Sequence, residues 1–175
     1  MAGLLQLTVA QAASQSAKLH QVRPELAKAY VTALSRWMGD RKLLVLGLPF
    51  ITEGYRADAV QAAYYAQGRA GLPELNRLRV LAGLPPFPFG SGEATRIITQ
   101  RKPGTSNHNK LPSWALDVAL LQVDGSVTWD NGALLLFSRL ICYADARVTW
   151  GGDWDGDGDT TDQHLHDWPH FELVG

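Results

Sequence analysis

His108, Asp117 and His170 are the residues of this chain whose types and settings could hold one metal ion. Each stands beside a segment that reads as a strand. Neutral imidazole and carboxylate suit zinc, and three protein ligands leave a fourth position for water, the arrangement of a hydrolytic centre. Asp167 stands three positions before His170. A carboxylate there can reach an activated water without binding the metal, take its proton and pass it to a leaving amine. Asp117 lies nine positions after His108 and His170 much later, which suits a site assembled by the fold rather than a local finger. The competing reading is that these are ordinary surface and core residues with no metal. Ser106 does not suggest a serine nucleophile, because the chain has no Gly-x-Ser-x-Gly elbow.

The elements that must position these groups can be read from periodicity. Residues from about Val9 to Met38 carry apolar side chains at Leu19, Val22, Leu26, Ala29, Tyr30, Ala33, Leu34 and Trp37, close to the helical period. Pro24 divides that stretch, so two helices are expected to meet near Val22-Arg23, and Gly39-Asp40 ends the second. Lys42 to Thr52 reads as a buried strand interrupted near Gly47-Leu48-Pro49, and Ala57 to Gln67 as a helix ended by Gly68. Gly71 to Gly92, rich in proline and glycine, reads as a long surface loop with a short helix near Glu74–Leu81. Thr95 to Thr99 is expected to be a short strand. Trp114 to Val123 and Ser126 to Trp129 are expected to form a hairpin across Asp124-Gly125, with a primed turn. Gly132 to Ala146 reads as an amphipathic helix, and Val148-Thr149-Trp150 and His170 to Val174 as the last strands. Alternation along the strand at Asp117 puts Ala115, Asp117 and Ala119 on one face and Leu116, Val118 and Leu120 on the other. Helices first and then a mostly antiparallel sheet make an α+β domain.

Size and composition set the outer bounds. The 175 residues suit a single domain, with a helical part over about residues 1–40. A net charge of −1 gives no general basic field, so a nucleic-acid partner is not expected. No apolar run approaches the roughly 18 to 20 residues of a membrane span. The start, Met1 to Leu7, has no positive segment ahead of its short apolar stretch, so no signal peptide is expected. The single cysteine, Cys142, sits in an apolar segment and reads as a structural residue.

Five motifs occur in one order: Glu53-Gly54-Tyr55-Arg56 with Gln61 and Tyr65 to Arg69; Pro103-Gly104-Thr105-Ser106-Asn107-His108; Ala115-Leu116-Asp117-Val118; Trp150-Gly151-Gly152-Asp153-Trp154; and Asp167-Trp168-Pro169-His170-Phe171. Together they resemble the L-alanyl-D-glutamate endopeptidases of bacteriophage endolysins. Those are grouped with the D-alanyl-D-alanine metallopeptidases, lysostaphin-type enzymes and the hedgehog signalling domain. Leu19 to Leu26 is also similar to that family's opening helix. The resemblance implies N-terminal helices on a small antiparallel sheet, zinc on His108, Asp117 and His170, and Asp167 as the catalytic base. It implies that Arg56 binds substrate and stabilises an oxyanion, and that Ser106 holds a polar group of the substrate. The implied partner is the peptidoglycan stem peptide, cut at the L-Ala–D-Glu bond during lysis. The implied molecule is a monomeric catalytic domain with no separate wall-binding domain, made in the host cytoplasm and released to the wall. A D-Ala-D-Ala carboxypeptidase or dipeptidase, or a wall-binding module that keeps zinc without catalysis, would share the same ligands. One departure stands out: eight residues, Asn109 to Leu116, separate His108 from Asp117, where the family has six.

Two further groups could contribute. Asp153, Asp155, Asp157 and Asp159, with glycines at 156 and 158, resemble a calcium loop, although His164 stands where a bidentate glutamate is expected. A solvated acidic turn is the alternative. His166, beside Asp167, is a candidate for substrate contact, and Trp168 belongs to a set with Trp114, Trp150 and Trp154 that could line a substrate groove or pack the core.

Overall fold

A computed structural model of the chain describes residues 7–174. Its contacts divide into two compact units: the residues up to Tyr55 together with those from Leu111 onward, and Arg56–Lys110.

The first unit contains the sheet and the main core. Helix α1 (Val9–His20) starts at Thr8, whose hydroxyl accepts from the Gln11 N–H while the Gln11 side chain accepts from the Thr8 N–H. Helix α2 (Pro24–Gly39) begins on Pro24, whose fixed φ and missing N–H suit a first helical position. The break falls where Pro24 required it. A one-turn helix α3 (Arg41–Leu44) follows, and strand β1 covers only Leu48–Glu53. The expected strand from Lys42 is therefore shorter. The Asp40 carboxylate accepts from the Lys42 N–H and caps a helical turn, which outweighs the strand preference of the apolar run.

Strands β2 (Ala115–Leu121), β3 (Val127–Thr128), β4 (Val148–Trp150) and β5 (His170–Leu173) complete an antiparallel sheet in the order β1-β2-β5-β4, with β3 paired to the far end of β2. The β2–β3 connection is not the primed two-residue turn. The Gln122 N–H donates to the Ser126 carbonyl across a three-residue loop, Gly125 alone takes a positive φ (83°), and Asp124 accepts from the Ser126 N–H. This is a type I turn closed by a left-handed glycine, the next commonest hairpin solution.

Helix α6 (Asn131–Ala144) is capped by Asp130, which accepts from the Ala133 N–H, and it packs with α2 on one face of the sheet. Phe137 stands at the centre, edge-on to Tyr30, Trp37 and Phe171 at centroid distances of 5.8 to 5.9 Å. Leu116, Val118 and Leu120 of β2 join the same core, so the alternation read from the sequence is the observed one. The polar atoms that enter it are paired: Tyr30 Oη donates to the Pro49 carbonyl and Trp37 Nε1 to that of Gly47. The outer edge of β1 is covered by α1, where the Gln15 side chain exchanges two hydrogen bonds with the backbone of Ile51 and Lys18 Nζ donates to the same carbonyl. Within the longer His108–Asp117 segment, Lys110, Leu111 and Pro112 are exposed and Ser113 is the anchor. Ser113 is buried, bridges to Val22, and uses its hydroxyl on the carbonyls of Gly54 and Ala115.

The second unit contains α4 (Asp58–Ala66), α5 (Leu72–Leu81) and connecting segments. The proline-rich stretch after α5 is fastened to that helix: Asn76 exchanges two hydrogen bonds with Phe87, and Arg79 donates to the Pro85 carbonyl and lies over the Phe87 ring. Residues 95–99 form no strand. The Ala94 and Arg101 carbonyls accept from the Gly68 N–H and from Gln61 Nε2, so this segment is held by single bonds rather than a ladder. Among the described residues no helix is long and apolar enough to cross a membrane.

Candidate metal centre

Strand register creates the first half of the site. Asp117 of β2 lies directly opposite His170 of β5. The spacing of two along β5 then places Glu172 on the same face as His170. His170 Nδ1 stands 3.1 Å from Asp117 Oδ1, and Nε2 stands 3.0 Å from Glu172 Oε2. The imidazole is buried, with a side-chain exposure of 9%, and its two carboxylates are little more open at 17% and 16%. Burial alone would disfavour the charged ring. The hydrogen bonds to Asp117 and Glu172, and the charges of Asp117 and Asp167, outweigh it and push the imidazolium pKa up to about 10. On the other side of β2, a bulge between Ile51 and Glu53 brings Glu53 opposite Asp117.

Asp167 is exposed and sits in the turn that enters β5. Its N–H donates to the Gly151 carbonyl (2.7 Å), its carbonyl accepts from the His170 N–H (2.9 Å), and the Gly151 N–H donates to the His170 carbonyl (2.8 Å). The backbone approach is close enough that only glycine fits at 151: a Cβ there would lie 2.4 Å from the Asp167 carbonyl oxygen. Trp154 packs against His170 at 5.6 Å and donates from Nε1 to the Leu165 carbonyl. Trp150 is core and donates to the Trp168 carbonyl. Trp168 is half-buried, edge-on to Trp150 at 5.2 Å and stacked on His166 at 5.3 Å. The exposed His166 donates from Nε2 to the Thr160 carbonyl. Trp114 is partly buried against the core and carries Arg23 over its ring, 4.8 Å from the centroid.

In the second unit, His108 lies in a single 3-10 turn, Asn107–Asn109, and is 2% exposed. Ser106 caps that turn: its hydroxyl accepts from the His108 N–H, and its own N–H donates to the Asn109 side chain. Arg56 is held nearby. Its backbone N–H donates to the His108 carbonyl, its carbonyl accepts from Asn109, its guanidinium donates to Gln61 Oε1 at 2.8 Å, and its Cζ stands 5.1 Å from the Tyr64 ring centroid.

His108, Asp117 and His170 each offer a ligand atom, and these atoms lie within 4.8 Å of one another. Donors around a tetrahedral zinc stand about 3.3 Å apart, given bonds near 2.0 to 2.1 Å. The donor types suit a metal ion, and their grouping within 4.8 Å would let one ion be shared once the three close in on it. The three ligand candidates read from the sequence are the three that come together. Sequence reading missed the proximity of Glu53 and Glu172. The signal for Glu172 was its spacing of two from His170 on a strand.

Asp153, Asp155 and Asp157 form a second group of close carboxylates. Asp153 accepts from the N–H groups of Gly156 and Gly158, Asp155 from Gln163, Asp157 from the Asp159 N–H, and Asp159 from Thr161. These bonds are what a self-supporting acidic turn requires.

No protein-family model matches the chain. The peptidoglycan L-alanyl-D-glutamate endopeptidase CwlK of Bacillus subtilis (strain 168) is 28% identical over 131 residues, covering 71% of this chain and 59% of CwlK. The chain thus spans less than two thirds of that relative's length. The crystal structure of the Serratia marcescens L-Ala D-Glu endopeptidase ChiX superposes with a TM-score of 0.51 at 22% identity, over 98% of this chain and 92% of that one. The α+β fold is shared with ChiX, and CwlK, the sequence relative, is likewise an L-alanyl-D-glutamate endopeptidase.

Proposed function

We propose that the chain is a zinc-dependent peptidase that cuts the L-Ala–D-Glu bond of the peptidoglycan stem peptide. The observation that carries the reading is the donor group His108, Asp117 and His170. The specificity is supported by the likeness to CwlK and the motif order that resembles phage endolysins. His108, Asp117 and His170 would hold zinc, which when bound supplies Lewis-acid polarisation of the scissile carbonyl and brings water ionisation near neutral pH.

The protein's own groups do the rest. Asp167 takes the proton of the attacking water on a carboxylate oxygen and returns it to the leaving amine nitrogen. Its exposure admits water, and its backbone bonds to Gly151 and His170 fix its place. Arg56, fastened by Gln61, offers a fixed cation for developing negative charge. The Ser106 hydroxyl accepts from the backbone and can donate its own hydrogen to a substrate carbonyl. His166 and Trp168 present a stacked pair for substrate packing. A lytic role for a phage belongs to the same proposal.

The test is digestion of purified peptidoglycan with and without a zinc chelator, with products identified by mass. New D-Glu amino termini that vanish on chelation and return with zinc support the reading. Release of free D-Ala instead would make the chain a carboxypeptidase. Zinc-independent cleavage, or full activity of Asp167→Asn, would refute it. Lysis of cells that express the chain only once a membrane lesion is supplied tests the lytic role.

A further inference from the structure

Glu172 takes no part in the reaction scheme above, yet it makes one of the closest contacts at the centre. It stands two residues after His170 on β5, so the strand's period puts both side chains on one face. Its Oε2 lies 3.0 Å from His170 Nε2, while Nδ1 of the same ring faces Asp117 at 3.1 Å. The two ring nitrogens point in diverging directions. A cation that shares Asp117 and His170 therefore meets Nδ1, and Glu172 remains on the far side of the ring. Carboxylates with this little exposure are costly to keep on a sheet unless they are paired.

We propose that Glu172 is a positioning residue that acts through His170. It accepts the Nε2–H, selects that tautomer, aims Nδ1 at the metal position and raises the basicity of the ligand nitrogen. The proposal rests on the zinc reading. It deepens that reading by assigning the partner that makes His170 a competent ligand. A metal-bound histidine whose second nitrogen donates to a carboxylate is both oriented and electronically tuned, and loss of such a partner weakens the metal about 10- to 100-fold.

The experiment measures zinc affinity by chelator competition for the parent protein, Glu172→Gln and Glu172→Ala, alongside nitrogen-15 spectra of the histidine rings in the zinc-loaded forms. The expected parent spectrum shows His170 as the Nε2–H tautomer with a strongly downfield proton. In Glu172→Gln that proton moves upfield, and both variants bind zinc about 10- to 100-fold more weakly. Glu172→Gln keeps a carbonyl acceptor and nearly the same shape, so it tests the charge even if Glu172→Ala fails to fold. Unchanged zinc affinity in Glu172→Gln, or an unshifted His170 proton, overturns the proposal and leaves the zinc reading intact. Complete loss of zinc binding in Glu172→Gln also overturns it, because Glu172 would then be a ligand itself. A parent protein that binds no zinc defeats the reading beneath.

Discussion

Replacing Gly151 by alanine is the sharpest steric test of how the proposed base is held. The added Cβ would stand 2.4 Å from the Asp167 carbonyl oxygen and 3.0 Å from both Asp167 Cβ and Trp154 Cζ2. Ordinary contact begins at 3.4 Å, so the nearest atom must retreat by about 1 Å. That atom is backbone, tied on both sides: the Asp167 N–H bonds to the Gly151 carbonyl, and the Asp167 carbonyl bonds to the His170 N–H. No side-chain rotation relieves the clash, so the Asp167 turn must move or the end of β4 must bend. Overpacking of this kind costs about 1–3 kcal/mol, or roughly 2 to 12 °C in melting temperature for a chain of this size. A displacement near 1 Å in a catalytic group can cost about 10²-fold in rate. The expected result is a peptidase rate lowered about 10- to 100-fold with zinc affinity changed less, because the three atoms nearest the added Cβ belong to Asp167 and Trp154 rather than to a metal-ligand candidate. Gly39→Ala is the control, since nothing lies within 4 Å of its Cβ position. Steady-state kinetics on a synthetic stem peptide and thermal melts decide the matter. A Gly151→Ala protein with parental rate and parental melting temperature refutes the reasoning.

Other outcomes follow from the same contacts. Phe137→Ala empties the centre of the aromatic cluster and should cost about 3–5 kcal/mol in denaturant unfolding. Tyr30→Phe leaves the Pro49 carbonyl without its donor and should cost about 1–3 kcal/mol in the same assay. Burial, aided by the Asp153 charge, pushes the Cys142 thiol from its ordinary 9.0 up to about 11. Alkylation at pH 8 should therefore run roughly a hundredfold slower in the folded protein than after denaturation. Because the folded state holds that proton more tightly, this contribution is intact below about pH 9 and declines as pH rises towards 11, which chemical unfolding at stepped alkaline pH will show. Asn76→Ala removes both bonds to Phe87 and should make the segment 82–91 the first site of limited proteolysis, with the core melt little changed.

Much of the fold was legible wherever a residue's covalent geometry or a long periodic pattern decided the outcome. Pro24 had to start a helix rather than sit inside one, and α2 begins there. Fourteen residues of α6 repeat an apolar face, and it forms nearly where expected. The misreadings share a different cause. Arg41–Leu44 looks like strand by composition, and one capping carboxylate at Asp40 turns it to helix. Residues 95–99 carry β-branched side chains but have no neighbouring strand to pair with, and strand propensity has little force without a partner. The Asp124-Gly125 pair fixed a turn without fixing which turn.

The centre was legible for a related reason: the sheet's core face and its polar face are set by one register. Leu116 pairs with Phe171 on the buried face, and Asp117 with His170 on the other. A slip of one residue between β2 and β5 would swing Phe171 and Leu173 out of the core and turn His170 into it. The apolar residues that fix this register are thus also what brings the aspartate and histidine together, and a sequence pattern strong enough to reveal the strand revealed the pair. Glu172 obeys the same pleat, and its spacing of two from His170 marks the shared face but not the contact, since an acidic residue on a strand is ordinary until the neighbour it touches is known. For Glu53 even the register depends on a bulge between Ile51 and Glu53, which places it opposite Asp117 against simple alternation. Residues that act through another residue are therefore the ones a single sequence hides, and structure recovers them from the partner they touch.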